Sequence, residues 1–183
     1  MTHFTPRPYQ NVIIDHILNT PRCAVWAGMG LGKTVATLTA LQILKVVEGG
    51  PALVLAPLRV AASTWMDEVA KWAHLRLTVS AVVGSAAERK AALAVDADVY
   101  TINYDNLPWL VEYLGDEWPF SVIVADESTR LKSFRLRQGG VRARALGQVA
   151  HIEGTRFIEL TGTPSPNGLT DLWGQAWFLD KGI

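Results

Sequence analysis

The apolar run Cys23–Trp26 leads into Ala27-Gly28-Met29-Gly30-Leu31-Gly32-Lys33-Thr34, and a helical pattern begins at Thr34. A strand, a glycine-rich turn and a helix opening on Lys-Thr form the setting of a phosphate-binding loop. The glycines let the backbone turn tightly and come close to a phosphate. Successive N–H groups and the helix N-terminus then face the anion. In that arrangement Lys33 reaches the β- and γ-phosphates of ATP, and the Thr34 hydroxyl ligates Mg²⁺. Ala27, Gly28, Met29, Gly30, Leu31, Gly32, Lys33 and Thr34 are the candidate nucleotide-binding residues. The strict pattern G-x-x-x-x-G-K-[ST] is not met, because Ala27 stands first; A-x-x-G-x-G-K-T is met in full. A glycine turn that precedes Lys-Thr by chance is the alternative, and the strand and helix flanks argue against it.

The rest of the chain alternates in the same way. Apolar runs at Ala52–Ala56, Leu77–Val83, Asp98–Ile102, Phe120–Ala125 and Arg156–Leu160 are rich in Val, Ile and Leu rather than alternating, which predicts strands covered on both faces. Thr34–Glu48 reads as a helix stopped by Gly49-Gly50-Pro51. Ala62, Trp65, Met66, Val69, Trp72 and Ala73 share one helical face, and so do Leu169, Leu172, Trp173, Ala176 and Trp177. The expectation is an α/β fold with a mostly parallel sheet and helices on both faces. At 183 residues, residues 1–183 form one domain in this reading. Ligands of such sheets sit at the carboxyl ends of the strands.

Two further segments carry chemistry. Val122–Ala125 ends in Asp126-Glu127, which sets two carboxylates beside the phosphate loop. Asp126 would hold Mg²⁺, through water, and Glu127 would orient and deprotonate the attacking water. An acidic strand cap is the bland reading of that pair taken alone. Leu160-Thr161-Gly162-Thr163-Pro164 reads alone as a turn; beside a phosphate loop its hydroxyls could sense the γ-phosphate. Arg130, Lys132, Arg135, Arg137, Arg142 and Arg144 put six basic residues in fifteen, with no acid between Glu127 and Glu153. The chain is otherwise balanced, with 17 Lys+Arg against 17 Asp+Glu, which excludes a polycation. Such a local patch suits a phosphate-backbone reader without base specificity, the alternative being a solvated helix face.

In this order the motifs resemble the first RecA-like P-loop domain of a Swi/Snf-type superfamily-two DNA-dependent ATPase, of bacterial or phage type, from Arg7 to about Leu179. Arg7-Pro8-Tyr9-Gln10 is similar to the adenine-recognition motif R-x-Y-Q of that family. Gly28–Thr34 resembles its G-x-G-x-G-K-T. Ala56-Pro57-Leu58 with Trp65, Glu68, Lys71 and Trp72 resembles CPLSLLxxWxxExxKW. Thr101-Ile102-Asn103-Tyr104-Asp105 is similar to TTYE, and Asp126–Ser133 to DEAHRIKN. Leu160–Pro164 with Asn167, Leu169 and Leu172-Trp173 resembles LTGTPxxNxLxELW.

The resemblance implies the ATP- and Mg²⁺-binding half of a DNA-stimulated ATPase, a translocase or remodeller rather than a strand-separating helicase. It assigns Arg7, Tyr9 and Gln10 to adenine, Lys33, Asp126 and Glu127 to catalysis, and Thr34 and Asp126 to Mg²⁺. It assigns Thr161, Gly162 and Thr163 to coupling. Pro57, Leu58, Arg59, Asn103, Tyr104, Arg130, Lys132, Arg135 and Arg137 would meet the DNA backbone. Two departures stand out. Thr129 occupies a position that is usually His in the family and is linked to domain closure. The family's second RecA-like domain, which bears the arginine finger, is expected to be absent from this chain, so that the isolated chain hydrolyses ATP weakly at most. A small-molecule kinase with a phosphate loop would have no reason to carry Thr-Gly-Thr-Pro or Arg-Pro-Tyr-Gln. A non-catalytic DNA-binding or regulatory module would not need Lys33, Asp126 and Glu127 together.

Trp65, Trp72, Trp173 and Trp177 fall on apolar helical stripes, and Trp26 ends a strand, so all five read as core; Trp109 and Trp118 are undecided. The lone Cys23 reads as a small core residue, which fits a reducing compartment. The polar N-terminus lacks an apolar signal core, and no apolar run reaches the roughly 20 residues of a membrane span. The cytoplasm of a bacterial or phage-infected cell is the expected setting.

Overall fold

The computed structural model describes residues 1–131, 140–164 and 170–181. Six strands form one all-parallel sheet in the order β1-β6-β5-β2-β4-β3. They are β1 (Arg22–Trp26), β2 (Ala52–Ala56), β3 (Val79–Ala81), β4 (Val99–Asn103), β5 (Val122–Asp126) and β6 (Arg156–Thr161). The α-helices among the described residues are α1 (Pro8–Asn19), α2 (Lys33–Glu48), α3 (Trp65–Lys71), α4 (Ala86–Leu93), α5 (Leu107–Leu114), α6 (Val141–Val149) and α7 (Thr170–Asp180). None is long and apolar enough to cross a membrane.

Parallel strands need crossovers, and each crossover here lays a helix on one face of the sheet. One core layer joins Ile13, Ile14 and Ile17 of α1, Leu38, Leu41 and Leu44 of α2 and Trp65 of α3 to Val54, Val124 and Ile158 of the sheet. The other joins Leu107 and Leu110 of α5, Leu146 and Val149 of α6 and Phe178 of α7 to Leu53, Ile123 and Phe157. Alternate residues of the same strands serve the two layers, which is why β2 is buried at every position. Cys23 lies in the first layer, where burial pushes its thiol up to about 11.

Three expectations are corrected. The helix after β2 begins with a π-helical turn, Val60–Thr64, before α3. The wider turn rotates the face, so Ala61 and Trp65 are buried while Ala62 and Met66 are exposed. In α7 the buried side is Gly174, Gln175 and Phe178, not the stripe of Trp173 and Ala176; Leu169 lies outside the described residues. Trp26 and Trp173 are 55% and 48% exposed and are not core. Trp65 is fully buried, and Trp109 stacks on Tyr113 with Arg89 over its ring.

Candidate nucleotide site at the carboxyl edge of the sheet

Because every strand runs the same way, the segments after β1, β2, β5 and β6 leave the sheet at one edge. Register brings them level: Trp26 pairs with Thr161, and Leu160 with Asp126. The phosphate loop, Pro57–Arg59, Asp126-Glu127 and Thr161–Pro164 therefore share that edge.

The loop backbone is shaped for close approach. Gly32 caps α2 in the left-handed region at φ 71°, and a Cβ there would collide with the Gln10 amide. Gln10 is buried and locked, donating from Nε2 to the Leu31 carbonyl at 3.3 Å and accepting the Arg7 N–H at 2.9 Å on Oε1. Lys33 extends its ammonium back over the loop, donating to the Ala27 carbonyl at 2.5 Å and the Gly28 carbonyl at 2.9 Å. Partial burial lowers the Lys33 pKa, an effect that the Asp126 and Glu127 charges oppose.

A cavity of about 660 Å³ opens beside the loop, between Arg7, Tyr9 and Gln10, the Gly30–Val35 turn and Trp72. The first residues of the chain wall it. Thr2 pairs with Trp72, donating its N–H to the Lys71 carbonyl at 2.7 Å, and Phe4 stacks on His74. The loop and cavity thus bring together all of Arg7, Tyr9, Gln10 and Gly30–Thr34.

Asp126 ends β5 with its carboxylate held from two sides. The Trp65 indole donates to Oδ2 at 3.2 Å and the Glu127 N–H to Oδ1 at 3.0 Å. Burial pushes the Asp126 pKa up; those two bonds pull it down, the Glu127 charge adds to the rise, and Lys33 opposes it. Glu127 is exposed and has φ 53°, a left-handed backbone that costs a non-glycine residue about 1–3 kcal/mol. Neighbouring bonds hold it there: the Arg130 N–H donates to the Glu127 carbonyl at 3.0 Å, and Arg130 Nε lies 3.8 Å from the Glu127 carboxylate. Among the described residues no cluster of three or more His, Cys, Asp or Glu could cage a metal. One half-buried carboxylate and the Thr34 hydroxyl suit Mg²⁺, which keeps waters and shares phosphate oxygens rather than filling a protein cage.

The third segment touches the first. The Ala27 N–H donates to the Thr161 carbonyl at 3.1 Å. A Cβ on Gly162 would lie 3.4 Å from Met29 N and Cγ, so glycine lets the two turns pack. Thr163 N–H closes the turn on Thr161 Oγ1 at 3.2 Å.

The DNA assignments separate. Leu58 and Arg59 are exposed on the edge beside half-buried Pro57. Asn103 and Tyr104 are buried, at 6% and 3% exposure, and that expectation is corrected. Asn103 Oδ1 accepts from the Asn106 amide, and the Tyr104 hydroxyl donates to the Asp126 carbonyl at 2.8 Å, so Tyr104 props the acidic strand end from below. Arg142 is paired with Asp105. Lys132, Arg135 and Arg137 lie outside the described residues. Sequence reasoning takes Trp65 and Tyr104 for a core residue and a DNA contact; both hold Asp126, and no local pattern points to that role.

Comparison with known proteins agrees with this geometry. The SNF2-related domain family matches residues 21–183, which leaves Arg7–Gln10 ahead of the match. Protein p41 of Acyrthosiphon pisum secondary endosymbiont phage 1 is 63% identical over all of this chain, which spans 40% of its length. The yeast transcription regulatory protein SNF2 is 34% identical over 82% of the chain, which spans 9% of that protein. The Sulfolobus solfataricus SWI2/SNF2 ATPase core in complex with dsDNA superposes with TM-score 0.75 at 26% identity, over 98% of this chain and 36% of that one. The Pyrococcus furiosus Hef helicase domain superposes with TM-score 0.77 at 22% identity over 95% of this chain and 36% of that one, which bears on the fold alone. The parallel sheet is RecA-like, its glycine loop and acidic strand end share one edge, and on the match across residues 21–183 the chain belongs to the SNF2-related domain family.

Proposed function

We propose that this chain is the ATP- and Mg²⁺-binding half of a DNA-stimulated ATPase motor, completed by a second RecA-like domain. The observation that carries it is the shared edge on which Lys33, Asp126-Glu127 and Thr161–Thr163 meet beside the cavity lined by Tyr9 and Gln10. Arg7, Tyr9 and Gln10 receive the adenine, and the loop N–H groups with Lys33 hold the phosphates. Thr34 and Asp126 would hold Mg²⁺, which would supply charge neutralisation at the phosphates. Trp65 and Tyr104 fix Asp126. Glu127 takes the proton of the attacking water, giving ADP and phosphate. Thr161, Gly162 and Thr163, packed on the loop, report its state.

The DNA side is read from Pro57, Leu58, Arg59 and Arg130, with Lys132, Arg135 and Arg137 beyond, all toward the phosphate backbone and without sequence choice. The Sulfolobus ATPase core, similar to this chain and itself in complex with dsDNA, supports this reading. The cation for the γ-phosphoryl charge is read as an arginine finger from the second domain, worth about 10³–10⁵ in rate. That this chain spans 40% of the phage relative supports a longer working unit, and the phage source supports the cytoplasm of a bacterial or phage-infected cell.

The test is steady-state ATPase activity with and without duplex DNA. Residues 1–183 are expected to bind Mg-ATP and turn it over more slowly than about 1 s⁻¹, while the complete protein is stimulated by DNA. Glu127→Gln should keep ATP binding and lower turnover of the complete protein by ~10²–10⁴-fold. Unchanged turnover in Glu127→Gln would remove Glu127 as the base, and turnover near 1 s⁻¹ from residues 1–183 would refute the half-motor.

A further inference from the structure

A buried polar bridge lies behind the hydrolytic edge, outside the groups just described. Ser128, fully buried, donates its hydroxyl to Gln175 Oε1 at 2.8 Å. Gln175, 1% exposed on α7, donates from Nε2 to the Pro164 carbonyl at 2.7 Å. The carbonyl accepts only, so the amide must turn its NH₂ to Pro164 and its oxygen to the Ser128 hydroxyl; the orientation follows from the partners.

The two ends of this bridge lie on two segments of the site. Ser128 follows Glu127, whose left-handed backbone persists only where its flanks are anchored. Asp126 Oδ1 anchors the N-terminal side through the Glu127 N–H, and Gln175 anchors the C-terminal side through Ser128. Pro164 ends the Thr161–Pro164 segment, which joins the phosphate loop at Ala27 and Met29. The chain of contacts therefore runs from the phosphate loop through Thr161–Pro164, Gln175 and Ser128 to Glu127. An apolar residue at 175 would take this partner away from both the Ser128 hydroxyl and the Pro164 carbonyl. What the amide adds is a definite distance between the two segments.

We propose that Gln175 is a positioning residue for hydrolysis: it ties the turn that aims Glu127 to the segment packed on the phosphate loop, and so keeps the base in register with the γ-phosphate. It touches neither nucleotide nor water. The assignment rests on the hydrolase reading above.

The experiment compares wild type, Gln175→Leu, Gln175→Glu, Ser128→Ala and Ser128→Thr in the complete protein. The readouts are Mg-ATP affinity and stoichiometry, kcat, and amide hydrogen exchange. Gln175→Leu and Ser128→Ala should bind Mg-ATP within about twofold of wild type at unchanged stoichiometry, with kcat reduced on the order of 10- to 100-fold, as expected for an ångström-scale misplacement. Amides of residues 127–131 and 163 should exchange faster. Gln175→Glu keeps the acceptor for Ser128 but turns a carboxylate on the Pro164 carbonyl, and should lose rate too. Ser128→Thr keeps the hydroxyl and should recover it. Because the two bonds act in series, the double variant should be no slower than Gln175→Leu alone. The proposal is overturned if kcat stays within twofold of wild type in folded Gln175→Leu and Ser128→Ala, or if activity falls only in proportion to binding stoichiometry. Should Gln175→Leu fail to fold, Ser128→Ala, the smaller excision, decides alone. A wild-type protein that binds ATP without turning it over overturns the hydrolase reading instead, and exchange at 127–131 still reports whether Gln175 pins that turn.

Discussion

Glu159 sits in the middle of β6 with no exposed surface, and neither carboxyl oxygen has a hydrogen-bond partner. Its neighbours in register are Ala24 and Ala125, small residues that leave it room. The adjacent cation, Arg22, is spent elsewhere, donating to the carbonyls of Thr155, Phe178 and Leu179. Burial therefore pushes the Glu159 pKa well above its ordinary 4.5, against the pull of Arg22. The folded chain keeps a proton that the unfolded chain gives up above 4.5. The stabilising contribution is thus complete below that pH and is lost as pH rises toward the folded-state value, at up to about 1.4 kcal/mol per pH unit. Glu159→Gln removes the ionisation but leaves a buried amide without partners, so it should flatten the slope and leave the acid-side stability near that of wild type. Glu159→Met also removes the unsatisfied oxygens, which cost about 1–3 kcal/mol when buried. On the acid side Glu159→Met should gain roughly 2 kcal/mol, or about 4–8 °C in melting temperature for a chain of this length, and more as pH rises. Urea denaturation from about pH 5 to about pH 8 reads the slopes. Parallel slopes for wild type and Glu159→Gln, or a Glu159→Met less stable than wild type at the upper end, would refute the buried-acid account.

Lys33→Ala removes a charge-assisted phosphate contact and should weaken Mg-ATP binding ten- to more than a hundred-fold, or about 1.5–3 kcal/mol, with the melting temperature unchanged; an unchanged titration would sink the phosphate-loop role. Trp65→Phe deletes the indole donor that lowers the Asp126 pKa, so the acid limb of Mg-ATP affinity should move to higher pH; a limb that stays in place would show that the Trp65 bond does not hold the carboxylate ionised.

What the sequence reveals here follows the range of each interaction. Val-, Ile- and Leu-rich runs mark the strands because both faces of a parallel sheet demand apolar residues, whatever lies across the sheet. The glycine loop and the acidic strand end are local patterns, and parallel topology alone brings them to one edge. Helix faces are less secure, because a stripe has two ends of equal hydrophobicity. The π-helical turn at Val60–Thr64 shifts the face of α3 and puts Met66 outside. In α7, Trp173 and Trp177 suggest one face; the groove beneath takes Gly174, Gln175 and Phe178, with Trp177 half-buried against that core and Trp173 exposed. A tryptophan stripe marks amphipathicity; the side that faces in depends on what the sheet presents.

Polar side chains that hold the site lie further out of reach. Trp65 meets Asp126 across 61 residues, Tyr104 across 22 and Ser128 meets Gln175 across 47. No periodicity encodes such pairs, since each partner alone looks like an ordinary core aromatic or helix polar residue. Tyr104 shows the hazard in assigning by segment. The segment resembles a DNA-contacting motif, yet a ring at 3% exposure has no surface to offer DNA, and its hydroxyl is already bonded to the backbone of Asp126. The motif position can still matter to DNA by a different route: displacing the Tyr104 loop would pull on the strand end that carries Asp126. The departure at Thr129 follows the same logic. A short hydroxyl replaces the expected imidazole there, and the adjacent Ser128 is the residue whose side chain reaches α7. Along the chain, Thr129 marks only a departure from the family pattern, at a position that the resemblance links to domain closure. In the fold, the Ser128 hydroxyl and the Gln175 amide, 47 residues apart along the chain, join the turn after Asp126 to Pro164, and either would pass for an ordinary polar residue along the chain.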